Sequence, residues 1–200
     1  MQETVSVVAG GWSVLQVDLK RIPGCIIGVN DSGLYLPRCD IIVSMDRLWA
    51  ENRYNNLHCM HTETWLRRSA VKNIYTKWPW LHVFDCDHES TEFSDDHGVL
   101  NGTNSGLCAF NKAYQLRPQV IYLFGFDMRP GPHGESYWYA RYPWSKGIST
   151  GKLTRWAQQF SSAAKKCRAA GIDVINASSR SLIKEFPTTR DFDLKKLAPA

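Results

Sequence analysis

The run Val120-Ile-Tyr-Leu-Phe-Gly-Phe-Asp127 carries no charge before its final acid. A strand apolar on both of its faces must be covered on both faces, and parallel sheets flanked by helices provide that cover. An antiparallel sheet with one face in water would show alternation instead. Shorter runs of the same kind recur along the chain. VSVVA (5–9) opens it, CIIGVN (25–30) and DIIVSMD (40–46) follow, LHVFDCD (81–87) comes next, and IDVIN (172–176) is the last. Between them lie helical patterns. Arg47 to Tyr54 is one, and Asn104 to Leu116 begins with capping residues and continues in small ones. Leu153, Trp156, Ala157, Phe160, Ala164 and Cys167 form an apolar stripe over 153–170 that Gly171 terminates. Ser179 to Phe186 reads as a short helix closed by Pro187. Strands alternating with helices predict an α/β fold: one Rossmann-like domain over 1–187, with a mostly parallel sheet and helices on both faces. A lid spans about 129–151, and 188–200 form a C-terminal tail.

The 200 residues suit one core, and 44% hydrophobic with 22% charged is globular composition. Net charge is +5, which favours anionic partners such as nucleotides, nucleic acid or acidic glycans; the basic residues are scattered, which reads as a solvated basic surface rather than a dedicated nucleic-acid face. No apolar run approaches the roughly 18 residues of a membrane span. Six cysteines include no Cys-x-x-Cys, and most lie in apolar runs. With no secretory leader, the expected setting is a reducing cytoplasm.

In sheets of this kind ligands bind beyond the carboxyl ends of the strands, so the residues at those ends are the candidates. Gly10-Gly11-Trp12-Ser13 follows the first strand; the glycines let backbone approach a phosphate, and Ser13 reads as the N-cap of a helix whose N–H groups would face it. The turn does not match Gly-x-Gly-x-x-Gly, which argues against a dinucleotide. Asn30 and Asp46 end the second and third strands. Asn104-Ser105-Gly106 begins a helix and can meet a phosphate or a base edge. Gly125 and Asp127 follow the central strand, and Arg129 offers a planar donor fork to a phosphate. HGESYWYARYPW (133–144) packs five aromatics beside His133, a composition suited to a lid over a sugar or base. Asp85-Cys86-Asp87 has the spacing that holds a divalent ion in some sugar transferases. His82, Cys86 and His88 lack a fourth zinc ligand. No metal is expected.

The order of these motifs resembles the bacterial lipooligosaccharide sialyltransferases that use CMP-sialic acid, together with related Rossmann-like proteins, some of them bacteriophage-encoded. The resemblance runs from about Val5 to Pro187. The family's first turn is Gly-Asn-Gly-Pro-Ser; the turn here is one residue shorter and lacks the Asn. Its donor-contacting Asn matches Asn30, and a second such Asn is replaced by Asp46. Its Thr-Ser-Gly looks like Asn104-Ser105-Gly106, while an Arg shortly before it falls on Gly102. Its Gly-Ile-Asp-Phe-Tyr looks like Gly125-Phe126-Asp127-Met128-Arg129, which puts Arg129 where a Tyr steadies the leaving phosphate. A second such Tyr matches Tyr137 or Tyr139. The family's catalytic His falls in Lys146 to Thr150, which holds no His, so His133 is the remaining candidate base.

The resemblance implies a metal-independent glycosyltransferase with a nucleotide or nucleotide-sugar as substrate and no cofactor. Gly10, Gly11, Ser13, Asn30, Asp46, Asn104, Ser105, Gly106, Gly125 and Asp127 would hold the nucleotide. Arg129, Tyr137 and His133 would act in catalysis. A nucleotide-binding phage protein without turnover, in a host cytoplasm, is the alternative, favoured by the missing His. A nucleic-acid-modifying enzyme is a third reading, admitted by the positive charge but accompanied by no DNA-binding motif.

Overall fold

The computed structural model describes residues 3–71, 78–140, 142–144 and 147–188. Seven strands form one wholly parallel sheet: β1 (Thr4–Val8), β2 (Cys25–Val29), β3 (Ile41–Ser44), β4 (Glu63–Arg67), β5 (Leu81–Phe84), β6 (Val120–Phe124) and β7 (Asp173–Asn176), in the order β5-β4-β3-β2-β1-β6-β7. The α/β, Rossmann-like, single-domain expectation holds. The apolar run that suggested it lies between β1 and β7, in register with Val5 opposite Ile121 and Val8 opposite Phe124.

The helices are α1 (Ser32–Tyr35), α2 (Arg47–Met60), α3 (Ser105–Gln115), α4 (Thr150–Gln158) and α5 (Phe160–Ala169). Strand residues alternate between two covered faces. Val5, Val7, Ile27, Val29, Ile41 and Val43 pack under α3 and α5. Val8, Ile26 and Phe124 pack under the short turns 12–16 and 19–21, and Ile42 and Leu66 pack under α2. Every residue of α3 is buried. Its polar positions are spent on the long excursion between β5 and α3: Asn111 Oδ1 accepts from Ser94 N–H (3.0 Å) and Asn101 N–H (2.9 Å), and Gln115 Nε2 donates to three carbonyls of 94–99. Buried amides satisfied in this way fix a loop without secondary structure of its own.

Three elements differ from the sequence expectation. β4 is absent from it because ETWLR carries charge at both ends: only Thr64 and Leu66 are buried, and Trp65 on the other face is covered by the ammonium of Lys112, 3.6 Å from its ring centre. The helix over 153–170 is two helices that meet at Gln159, whose side chain accepts a hydrogen bond from Thr103 Oγ. Residues 179–186 form no helix, because that segment is tied to the end of β6. Ser181 Oγ donates to Phe126 O (2.7 Å), and Leu182 N–H donates to Asp127 O (3.0 Å). Of the expected tail, 189–200 lie outside the described residues. No described helix is long and apolar enough to cross a membrane.

Candidate functional site

The chain progresses outward from β1 to β5 on one side and then crosses back to β6 and β7 on the other. The turns leaving β1 and β6 therefore diverge, and a crevice opens at their carboxyl ends. A cavity of about 440 Å³ occupies it. Its floor is Ala9 to Gly11, Asn30, Asp46 and Gly125; one wall is Thr103 to Gly106, and the other is Met128, Arg129, Tyr137 and Tyr139. Its mouth is formed by Gly147, Ile148, Lys152 and Trp156.

The floor is drawn tight by two glycines. Gly11 N–H donates to Gly125 O at 2.8 Å, and a Cβ on Gly11 would lie 2.4 Å from that oxygen and 2.8 Å from Asp127 Cγ. Gly125 has φ +70°, and a Cβ there would lie 2.6 Å from Ala9 O. Asp127, almost fully buried, accepts from Ser13 N–H (2.8 Å) and from Ser13 Oγ–H. Burial pushes the Asp127 carboxyl up, while the two Ser13 donors and the nearby Arg180 and Arg129 pull it down.

This corrects the reading of Ser13 and Asp127 as ligand contacts. They bond to each other behind the floor and do not line the cavity. It also corrects the helix expected after Gly11, which is a 3-10 turn over Trp12–Gln16 with no side-chain cap. Gly11 is small because the chain itself passes there.

A genuine helix start faces the cavity at α3. Asn104 caps it, its Oδ1 accepting from Leu107 N–H at 3.0 Å. Ser105 Oγ accepts from Met45 N–H (3.1 Å), which ties this wall to the end of β3. The first-turn N–H groups of Ser105 and Gly106 have no helical partner, and the positive end of the helix dipole lies with them.

Two polar atoms in the lining are buried without a hydrogen-bond partner: Asn30 Oδ1 and Arg129 Nε. Asn30 also holds a left-handed backbone, φ 53°, which Asn tolerates better than most residues. A buried acceptor and a buried donor without partners, both on residues that line the cavity, mark it as a polar site. Asp46 lines the floor with its Oδ1 accepting from Trp49 N–H at 3.1 Å, so it also caps α2.

The lid is packed rather than free. Trp138 N–H donates to Gly10 O (2.9 Å), and Trp138 Nε1 donates to Ser32 Oγ (3.1 Å). Tyr137 stacks on Tyr139 with ring centres 5.2 Å apart, and the Tyr139 hydroxyl meets that of Tyr142 at 2.9 Å. Burial pushes both Tyr139 and Tyr142 well above the usual tyrosine range. The stack sits beside a buried ion pair in which Asp31 accepts from Trp49 Nε1 (2.7 Å) and twice from Arg53 (2.8 and 2.6 Å).

His133 is exposed and does not line the cavity. Its N–H donates to Glu135 Oε2 (2.8 Å), and Glu135 is held low by the backbone N–H groups of its own residue and of His133. No imidazole is among the lining residues. Lys146 lies outside the described residues. Asp85 forms a two-pronged pair with Arg68 (2.6 and 2.9 Å), and Asp87 accepts from Glu89 and Ser90 N–H. Among the described residues no cluster of three metal-ligating side chains occurs.

The sequence missed Lys152 and Trp156. Trp156 reads as helix stripe, yet it is only half-buried, with Lys152 Nζ 4.8 Å from its ring centre. The cation immediately before the stripe was the available signal.

Fold and crevice together define a Rossmann-like α/β protein with its ligand cavity at the sheet's switch point. No protein-family profile matches the chain, and no curated protein matches its sequence. Among solved structures, the sialyltransferase CstII from Campylobacter jejuni, in complex with the substrate analogue CMP-3FNeuAc, is similar at TM-score 0.57 and 16% identity over 94% of this chain and 86% of that one. The sialyltransferase CST-II with a trisaccharide acceptor and CMP gives 0.58 and 17%, over 92% and 85%. The MAf glycosyltransferase from Magnetospirillum magneticum AMB-1 gives 0.61 and 16%, over 98% of this chain and 34% of that one. The chain thus shares its fold with these structures. The bacteriophage origin expected from the resemblance finds no support in these neighbours.

Proposed function

We propose that the protein is a glycosyltransferase that binds a nucleotide-sugar across the carboxyl edge of β1, β2, β3 and β6. The observation that carries this is the pair of unpartnered buried atoms, Asn30 Oδ1 and Arg129 Nε, in one cavity with the start of α3. The α3 N–H groups and Arg129 suit a phosphate. Asn30 suits a hydroxyl or amine donor of a nucleoside. In the transfer, an acceptor hydroxyl oxygen bonds to the anomeric carbon. The bond from that carbon to the phosphate oxygen breaks, and its electron pair leaves with the phosphate. Arg129 and Tyr137 stabilise the departing charge. The hydroxyl proton needs a base, and Asp46 is the carboxylate among the lining residues, which displaces His133 from that role. CMP-sialic acid is the first donor to try, since the two sialyltransferase neighbours above were solved with CMP or a CMP-sugar analogue.

The rival is a nucleotide binder without turnover, favoured by the absence of an imidazole from the lining. Release of free nucleotide from a panel of donors separates the two. For a transferase, Arg129→Ala lowers turnover by roughly 10²-fold or more and donor affinity less, and His133→Ala leaves the pH–rate profile unchanged. Tight nucleotide binding with no release from any donor would establish the binder.

A further inference from the structure

Behind the cavity wall formed by 103–106 lie two thiols that the proposed transfer does not use. Cys86 is half-buried in the segment after β5, and Cys108 is buried within α3; their Sγ atoms are 3.9 Å apart. Both also reach the carbonyl of Gly102, Cys86 Sγ at 3.5 Å and Cys108 Sγ at 3.8 Å. Arg67, at the end of β4, adds positive charge to the pair, and its Nε is buried without a hydrogen-bond partner.

The two sulfurs are not equivalent. The hydrogen bond shared by the two sulfurs pulls the Cys86 thiol down against the effect of burial, with help from Arg67, and the same contact together with burial pushes the Cys108 thiol well up. Cys86, half-buried, is the more accessible sulfur and Cys108, fully buried, the shielded one beside it, the arrangement of an attacking and a resolving cysteine. A disulfide needs sulfurs at about 2 Å, so the two Sγ atoms must close from 3.9 Å.

We propose that Cys86 and Cys108 are a peroxide-sensitive dithiol, oxidised reversibly to a disulfide. The Cys86 thiolate sulfur attacks one oxygen of a hydroperoxide; an S–O bond forms, the O–O bond breaks, and the departing oxygen leaves as water or alcohol after taking a proton. Cys108 sulfur then attacks Cys86 sulfur, its own proton leaving with the hydroxyl as water. Two thiols lose two electrons and one peroxide gains them. The bridge removes the Cys86 S–H from the Gly102 carbonyl and the Cys108 S–H from the carbonyls of Leu100 and Gly102. Gly102 is buried so tightly that a Cβ there would lie 2.7 Å from Leu107 Cβ and 2.8 Å from Cys108 N. It leads directly into Thr103 and Asn104, so oxidation disturbs the wall of the cavity. This inference does not depend on the ligand being a nucleotide-sugar.

The test treats the whole folded chain with hydrogen peroxide, blocks remaining thiols with N-ethylmaleimide, and maps unreduced peptides by mass. The expected product is a Cys86–Cys108 linked peptide, with about 2 Da lost per chain and recovered in dithiothreitol. Amide exchange at Leu107 and Cys108, whose N–H groups are capped by Asn104, becomes faster in the oxidised form. Cys86→Ser abolishes the linked peptide and Cys59→Ser does not; Cys108→Ser leaves a Cys86 sulfenic acid that dimedone traps. Linkage through any other cysteine, or a Cys86 that stays fully alkylatable or proceeds to sulfinic acid with Cys108 present, overturns the proposal.

Discussion

Gly11→Ala tests whether the floor of the cavity is a cradle for a ligand or a stitch between two parts of the chain. The added methyl would sit 2.4 Å from the Gly125 carbonyl oxygen and 2.8 Å from Asp127 Cγ, both held by backbone or by buried hydrogen bonds. Neither can rotate away as the end of a flexible side chain would. Overpacking of this kind costs about 1–3 kcal/mol. Pushing the turns apart also breaks the Gly11 N–H to Gly125 O bond, worth about 1 kcal/mol. The variant should lose roughly 2–4 kcal/mol, which for a domain of this size lowers Tm by roughly 5–15 °C. Thermal unfolding without ligand, followed by circular dichroism, measures this. Gly10→Ala is the comparison, because its methyl would meet side chains only, Tyr137 Cδ1 at 2.8 Å and Tyr139 Oη at 3.1 Å, rather than the backbone; its Tm should fall less. If Gly11→Ala melts with the wild type and loses only ligand affinity, Gly11 faces a phosphate after all and the stitched floor is refuted.

Three further outcomes follow from the packing and charge of the chain. Arg53→Met leaves the fully buried carboxylate of Asp31 with Trp49 Nε1 as its side-chain donor among the described residues and should cost about 3–5 kcal/mol by urea unfolding; a loss under about 1 kcal/mol would mean the pair is solvated. Because burial raises the Asp127 carboxyl above its ordinary 3.8, its contribution to stability is complete below that value and declines as pH rises through the folded value. The unfolding free energy of the wild type relative to Asp127→Asn should therefore fall as pH rises above about 3.8, and a rise there would reverse the assignment. Since Asp85 is paired with Arg68, nucleotide affinity measured by calorimetry should be the same with and without a chelator and in Asp85→Asn; loss in both would restore the Asp-x-Asp reading.

The sheet was legible because parallel strands covered on both faces are written as unbroken apolar runs, and six of the seven announced themselves that way. β4 did not, since its outer residues Glu63 and Arg67 are charged and Trp65 is covered by a lysine rather than by an apolar helix face. The strand-end rule brought Gly10, Asn30, Asp46, Ser105, Gly125 and Arg129 to one cavity. It failed for Ser13 and Asp127, because a hydroxyl and a carboxyl at strand ends satisfy each other as readily as they satisfy a ligand, and only their spatial pairing shows which. His133 was chosen by elimination. Nothing in the local sequence reveals that the lid turns its tyrosines inward and leaves that residue in solvent.

The stitch between Ser13 and Asp127 joins positions 114 residues apart. β1 has a neighbour early, in β2, but its other edge stays open until β6 has been made. Closing so long a loop costs entropy before any contact repays it, which makes such pairings late events in folding. A nascent chain ending before Val120 would hold Gly10, Asn30, Asp46 and Ser105 but would lack Gly125, Arg129 and the lid. The cavity is thus a product of completed synthesis: partial chains are born without it, and the exposed edge of β1 is the surface a growing chain must keep from wrong partners until β6 arrives.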